Sequence, residues 1–292
     1  MQSKYELIRD IVLRNIPNEG SYQTSIKGVN FIRRDTPSEF AKCFYKSACI
    51  FVLQGQKQMI FSSEIKTYKK GQYVLSCTDI PAVCRVEKAS KEEPFVGILL
   101  DFDENLIKEL IHTTKITKNS SFPSDYLAIT DADNNLIDAF YRLAQLIENP
   151  QDEIIVSMLI KEIYYRLLTG PLGNQLLLIN TQGTRSNQIA QAINIIKEHY
   201  EEKLNMDEVA QSVNMAPASF YRNFKKVTQV SPLQYQKQLR LSEAQRLMLT
   251  GEHNAETASY IVGYESPTQF SREYKKMFGN PPKTDIKKLA NI

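Results

Sequence analysis

Phe220-Tyr221-Arg222-Asn223-Phe224-Lys225-Lys226 and Phe270-Ser271-Arg272-Glu273-Tyr274-Lys275-Lys276 are two versions of one pattern, aromatic-x-Arg-x-aromatic-Lys-Lys, separated by 50 residues. Aromatic residues at i and i+4 share a helix face, so the arginine between them projects from another side and the lysine pair follows one turn later. A pattern of this length at a fixed separation marks an internal duplication.

The flanking residues give each copy a frame. Asn205 with Glu208 forms a capping box that opens a short helix, Met206 to Val213, and Asn214 tolerates the left-handed backbone of a tight turn. Pro217 suits the first turn of the next helix, which carries Phe220, Phe224 and Val227 inward. In the second copy Asn254 caps a helix ending at Val262, Gly263 supplies the turn, and Ser266-Pro267 opens a helix with Phe270, Tyr274 and Phe278 inward. Helix, tight turn and helix therefore occur twice, as paired helix-turn-helix motifs. A helical segment from about Pro232 to Leu249 joins them, and Ile189, Ile193, Ile196 and Tyr200 mark a helix in front.

This arrangement suits DNA. Arginine binds guanine O6 and N7 in bidentate fashion, and lysines neutralise flanking phosphates. The joining segment spans roughly 27 Å as a helix, a strut suited to holding two recognition helices about 34 Å apart, one turn of the duplex. Charge agrees locally. The whole chain of 292 residues has 36 Lys and Arg against 33 Asp and Glu, net +3, which excludes a strongly basic coating protein. Residues 1–185 are balanced at 22 of each sign, whereas 217–292 hold 12 basic and 6 acidic residues, net +6.

The first half has another character. Ile50 to Leu53, Met59 to Phe61, Ile65 to Tyr68, Tyr73 to Ser76, Val83 to Val86 and Phe95 to Leu100 are short β-branched or aromatic runs, separated by Gly55, Lys70-Gly71, Pro81 and Lys91 to Pro94. They predict a small barrel or sandwich. Leu136, Phe140, Leu143 and Ile147, then after Asn149-Pro150 Val156, Leu159, Ile163 and Leu167, predict two antiparallel helices. Their stripes either cover the barrel or pair with the same helices of a second chain. Gly170-Pro171-Leu172-Gly173 ends the second helix, and Asn180 to Asn187 is the most linker-like stretch. The expected domains are residues 1–180 (barrel about 20–130, helices about 132–169), a linker at 181–187, and an all-α domain at 188–292, an α+β chain overall.

Enzymatic chemistry finds little support. His112, His199 and His253 are the only histidines and none lies among the strands, so no metal site and no cofactor is expected. No HExxH, GxSxG, P-loop or GxGxxG pattern occurs. Cys43, Cys49, Cys77 and Cys84 fit neither a redox pair nor a zinc finger; Cys77 and Cys84 are the candidates for reaction with an electrophilic or oxidising effector, against the plainer reading as buried small hydrophobes. Met1 to Asp10 has no apolar core and no later stretch is long enough to span a membrane, so a cytoplasmic protein with free thiols is expected. The competing readings are a small-molecule-binding or enzymatic barrel, and a protein-interaction module using the helical face of 135–168.

Residues 186–292 resemble the DNA-binding domain of AraC-family transcriptional regulators, in Asn205-Met206-Asp207-Glu208-Val209-Ala210, Ser231-Pro232-Leu233-Gln234-Tyr235, Arg240-Leu241-Ser242-Glu243-Ala244 and Val262-Gly263-Tyr264-Glu265-Ser266. Leu53-Gln54-Gly55-Gln56-Lys57, the stretch from Tyr68 to Pro81, Glu87-Lys88-Ala89-Ser90 and Glu162 to Pro171 are similar to the N-terminal domain of a subgroup that includes aldehyde-responsive regulators. The resemblance implies a homodimeric or dimer-capable regulator with a cupin-like effector domain and a two-motif DNA reader; promoter DNA, a small-molecule effector and RNA polymerase are the expected partners. It places Ala218, Tyr221 and Arg222, and Thr268, Gln269 and Arg272, at base edges; the repeated pattern itself puts Lys225, Lys226, Lys275 and Lys276 toward phosphates. Two positions depart from the family pattern: Ala216 replaces the usual capping serine, and Asp285 the tyrosine that closes the second motif.

Overall fold

Two antiparallel sheets build the strand-rich region, and the chain crosses between them at Gly55. The computed structural model describes residues 2–62, 64–114, 116, 126–148 and 153–290. The strands are β1 (Gly20–Gln23), β2 (Val29–Arg34), β3 (Ala41–Tyr45), β4 (Ala48–Gln54), β5 (Gln56–Phe61), β6 (Glu64–Lys69), β7 (Gln72–Ser76), β8 (Ile80–Lys88), β9 (Phe95–Asp101) and β10 (Leu127–Asp131). One sheet has the order β1-β2-β9-β4-β7-β10, the other β3-β8-β5-β6. All six runs expected from sequence are strands; β1, β2, β3 and β10 are additions. At Gly55, φ is +79° and a Cβ would lie 2.7 Å from Phe95 Cα and 2.9 Å from the Lys88 carbonyl oxygen. Glycine alone takes that backbone in that space without strain. Register shifts on both sides, at Val52/Gln54 and Gln56/Lys57, complete the corner.

The chain divides into two compact units, Met1–Phe40 with Tyr45–Asn187, and Ala41–Phe44 with Gln188–Ile292. In the first, helices α1 (Lys4–Asn15), α2 (Glu104–Thr114), α3 (Asn134–Glu148), α4 (Glu153–Thr169) and α5 (Gly173–Asn180) accompany the sheets. Phe51 of β4 stacks on Phe140 of α3 at 4.8 Å and meets Tyr5 of α1 at 5.9 Å, so helices cover one face of the six-stranded sheet. On its other face Phe95 of β9 meets Tyr68 of β6 edge-on at 6.4 Å, and the Tyr68 hydroxyl shares a 2.8 Å hydrogen bond with Tyr45.

The apolar stripes are spent inside this unit. Leu136, Phe140, Leu143, Ile147, Leu159, Ile163 and Leu167 are all buried, and α3 lies against α1 and α4. Val156, the eighth stripe residue, is half-buried, so the stripes are largely covered within this unit rather than left for a second chain. The expected break at Asn149-Pro150 lies outside the described residues. α1 was not foreseen, although Ser3 and Glu6 form a capping box at its start; Arg14 bridges to Glu148 at 2.9 Å and Lys4 pairs with Asp138, tying it to α3.

The remaining helices are α6 (Arg185–Glu198), α7 (Met206–Ser212), α8 (Pro217–Thr228), α9 (Pro232–Leu249), α10 (Ala255–Ile261), α11 (Pro267–Phe278) and α12 (Pro282–Ala290). The expected linker at 181–187 is shorter, because α6 already begins at Arg185. Ser186 and Asn187 are buried, the first bonded to the Tyr126 hydroxyl at 2.7 Å and the second donating to the Ile179 carbonyl at 2.8 Å. Polar residues that read as solvated connection serve here as buried partners.

Candidate nucleic-acid interface

The first motif is α7, a turn at Asn214 and α8. Asn205 caps α7 by accepting from the Asp207 N–H at 3.1 Å, while its amide donates to Glu208 at 2.9 Å. The capping pair forms through side chains, rather than through the reciprocal backbone bond expected of a capping box. Asn214 has φ 56°, and Gln188 donates to the carbonyls of Val213 and Asn214 at 2.9 and 3.2 Å, satisfying the end of α7. Ala216 stands in extended backbone before α8 with no side-chain cap, and Pro217 occupies the first turn. Gln229 ends α8 in the left-handed conformation.

The second motif repeats this plan with one insertion. Asn254 caps α10, Gly263 turns at φ +83°, Ser266 caps α11 and Gly279 ends it at φ +84°. From the left-handed turn residue to the helix proline, the first motif runs from Asn214 to Pro217 and the second from Gly263 to Pro267, one residue longer. Tyr264, in the place of Met215, packs its ring on Phe270 at 5.3 Å, and the extra residue follows it.

α9 fastens the two motifs together. Near its middle the Arg240 guanidinium donates to the carbonyls of Tyr200 (2.5 Å), Glu201 (3.0 Å), Glu202 (2.8 Å) and Gly263 (2.9 Å). Gln236, one turn earlier, is buried and donates to Tyr200 and Glu202 at 2.9 and 2.8 Å. Gly263 must be glycine for a second reason: a Cβ would lie 1.9 Å from the Glu201 carbonyl oxygen. At the other end of α9, Gln245 and the Tyr274 hydroxyl both donate to the buried Asp285 of α12, at 2.7 and 2.8 Å. Asp285, where the family pattern has tyrosine, thereby anchors the last helix to α9 and α11. Burial and then this carboxylate push the Tyr274 hydroxyl far above the usual tyrosine range.

Every sequence-predicted residue on the two second helices is exposed: Ala218, Tyr221, Arg222, Lys225 and Lys226 on α8, and Thr268, Gln269, Arg272, Lys275 and Lys276 on α11. With 3.6 residues per turn, Ala218, Tyr221, Arg222 and Lys225 share roughly 100° of arc. The opposite side holds the buried Phe220, Phe224 and Val227. Thr268, Arg272 and Lys275 form the matching stripe on α11, with Phe270, Tyr274 and Met277 buried behind them. The lysine pairs sit in the last helical turns, where cations complement the helix dipole.

Several residues of this unit were missed from sequence. Arg240 and Gln236 act on backbone carbonyls of residues 23 to 40 positions away, which no local spacing reveals. Glu273 accepts from Lys237 at 2.9 Å, Tyr264 at 2.8 Å and Gln269 at 3.3 Å. Burial alone would raise its carboxyl, but these donors outweigh burial and hold it below the usual glutamate range.

In the first unit, the candidate thiols part company. Cys77 is buried, and burial pushes its thiol far above the usual range, as it does Cys49. Burial of this kind disfavours the thiolate, which is the nucleophilic form. Cys84 on β8 is half-buried. A cavity of about 910 Å³ opens beside the β1–β2 turn, the end of β9, α2 and α4, with Ile26, Leu100, Phe102, Val156, Ile160 and Tyr164 among its lining. Among the described residues no group of His, Cys, Asp or Glu is placed to hold a metal ion, and no helix is long and apolar enough to cross a membrane.

Comparison with known proteins agrees with both halves. Residues 25–175 match the family described as AraC-type transcriptional regulator N-terminus, and residues 209–288 match a helix-turn-helix domain. The HTH-type transcriptional regulator YdeC of Bacillus subtilis is 26% identical over 150 residues, 51% of this chain and 51% of its own length. The chain thus spans about half of that relative. The Msm operon regulatory protein of Streptococcus mutans is 21% identical over 82% of this chain and 84% of its own. ToxT of Vibrio cholerae shares the fold: one structure aligns with TM-score 0.64 at 14% identity over 90% of this chain and 98% of that one, and a second, bound to an unsaturated fatty acid, with TM-score 0.62 at 14% identity over 92% and 96%. With the N-terminal family match covering more than half of its residues, the chain belongs to the AraC-type transcriptional regulators.

Proposed function

We propose that this chain is a sequence-specific DNA-binding transcription regulator controlled by a small-molecule effector held in the first unit. The observation that carries the reading is the duplicated face: twice, an exposed arginine stands opposite a buried aromatic pair and an exposed lysine pair closes the helix. On this reading Ala218, Tyr221, Arg222, Thr268, Gln269 and Arg272 face base edges in two major grooves, and Lys225, Lys226, Lys275 and Lys276 hold phosphates. The fatty acid bound to ToxT supports a small molecule as the class of effector. Such a ligand acts only if it binds two arrangements of the protein unequally. The partners are promoter DNA, RNA polymerase and a second copy of the chain in the cytoplasm; the exposed Met158 and Tyr165 of α4 offer apolar surface for the copy. The chain works as a regulator and not as an enzyme, and needs no cofactor.

Salt-titrated binding to labelled promoter fragments tests the reading. Arg222→Ala and Arg272→Ala relax specificity at single positions, whereas Lys225→Ala or Lys275→Ala weakens binding to all sequences and lowers the salt slope by about 1. Unchanged binding in both sets would show the helices assigned to DNA to be wrong.

A further inference from the structure

We propose that Glu273 is a positioning residue that turns the Gln269 side-chain amide so that it reads adenine. The proposal rests on the reading above, in which Gln269 faces base edges, and adds the identity of the base.

By itself a glutamine amide has no fixed sense: rotation by half a turn exchanges its donor and acceptor ends. Here the exchange is blocked. Both Glu273 oxygens are occupied by donors, Oε1 by Lys237 Nζ at 2.9 Å and Gln269 Nε2 at 3.3 Å, Oε2 by the Tyr264 hydroxyl at 2.8 Å. A carboxylate so held only accepts, so a flipped Gln269 would set its oxygen against another acceptor. Glu273 is itself fixed, its side chain 21% exposed, with partners on α9 and in the turn before α11. The amide nitrogen has two hydrogens. With one on Glu273, the other and Oε1 remain for the groove, one donor beside one acceptor. Adenine presents the complement, N7 as acceptor beside N6 as donor. On the helix, Gln269 lies about 60° from Arg272, on the side toward Glu273, so the two side chains address neighbouring bases.

The first motif has no such device. Positions 219 and 223, fifty residues earlier, are Ser219 and Asn223, and the buried Asn223 amide turns back to the Ser219 carbonyl at 2.8 Å. Adenine reading through a held amide is therefore a property of α11 alone.

The test selects duplexes from a pool randomised within a promoter fragment bound by the full-length protein, at one salt concentration, with the wild type, Gln269→Ala, Glu273→Gln and Glu273→Asp. The wild type is expected to favour adenine at one position on the order of tenfold, and Gln269→Ala to lose that preference. In Glu273→Gln the new amide both donates and accepts, so either sense of Gln269 is allowed and the preference falls to within about twofold of parity. Glu273→Asp keeps a carboxylate four residues on, where Gln and Asp pair along a helix, and restores it. The base selected by Arg272 stays the same in every variant, which reports an intact α11. If Glu273→Gln keeps the full adenine preference that Gln269→Ala loses, the positioning role is overturned. If Gln269→Ala changes nothing, Gln269 reads no base and the proposal falls while the rest of the DNA face stands. A wild type that selects no sequence overturns the regulator function as well.

Discussion

Arg240 donates to the Gly263 carbonyl at 2.9 Å while its other nitrogens hold the carbonyls of Tyr200, Glu201 and Glu202. One side chain of α9 thus closes the turn before α7 and the turn after α10. The guanidinium fork can serve these carbonyls together, which a lysine ammonium on a flexible stem cannot. Arg240→Ala is expected to cost the helical unit about 2 kcal/mol, read as a lowered urea midpoint of the far-ultraviolet circular dichroism signal, and Arg240→Lys to recover less than half of the loss.

The two left-handed turns should respond unequally to substitution. Gly263→Ala places a methyl group 1.9 Å from the Glu201 carbonyl oxygen at φ +83°, and DNA binding is expected to fall together with melting temperature. Asn214→Gly relieves a side chain already in the left-handed region at φ 56° and should leave stability within about 1 kcal/mol of wild type. Thermal melts of both variants side by side decide this.

Ala216 offers a gain. Its backbone already has the extended conformation of a cap, φ −65° and ψ 139°, with no side chain to accept from the first turn of α8. Ala216→Ser is expected to stabilise by about 1 kcal/mol, measured by chemical denaturation, with operator affinity unchanged.

Acid should loosen the α9–α11 contact through Glu273. Its carboxyl is held below the ordinary range in the folded chain by Lys237, Tyr264 and Gln269 against burial, with Arg240 nearby. A lowered folded value contributes stability above the ordinary glutamate pKa of about 4.3, and that contribution is lost as pH falls through the folded value. Melting temperature measured from pH 6 down to pH 3 should therefore drop more steeply for the wild type than for Glu273→Gln.

Thiol chemistry gives a separate check on the first unit. Cys49 and Cys77 are buried with thiols pushed far up. Iodoacetamide on the native protein should leave both unmodified, as read by peptide mass spectrometry, and unfolding should expose them. Native alkylation of Cys77 would show a reactive thiol there in spite of its burial.

The second unit was legible because its signals are local. Pro217, Pro267, the aromatic residues at i and i+4 and the left-handed Asn214 and Gly263 each act within a few residues, and the segment read as running from about Pro232 to Leu249 is α9 with those bounds. The first unit was read only in part. Six strands carry β-branched or aromatic runs, but Ala41–Tyr45 is exposed over its first residues and lacks an alternating pattern. The capping box at Ser3 and Glu6 is as readable as the pair at Asn205 and Glu208. What sequence did not disclose is long-range polar pairing: Arg240 with four carbonyls, Tyr126 with Ser186, Asp285 with Gln245 and Tyr274. Such bonds depend on where chains cross, not on which residue types are neighbours.

The extra residue between Gly263 and Pro267, with Tyr221 answered by Ser271 and Ser219 by Gln269, makes the two motifs unequal copies. A reader with one motif per chain obtains its second half-site from dimer symmetry, and its operator is a palindrome. A chain bearing two unlike motifs has a front and a back along the duplex. Along the duplex one such chain acts as an arrow, and inverting its site would reverse the order in which the two motifs meet the promoter.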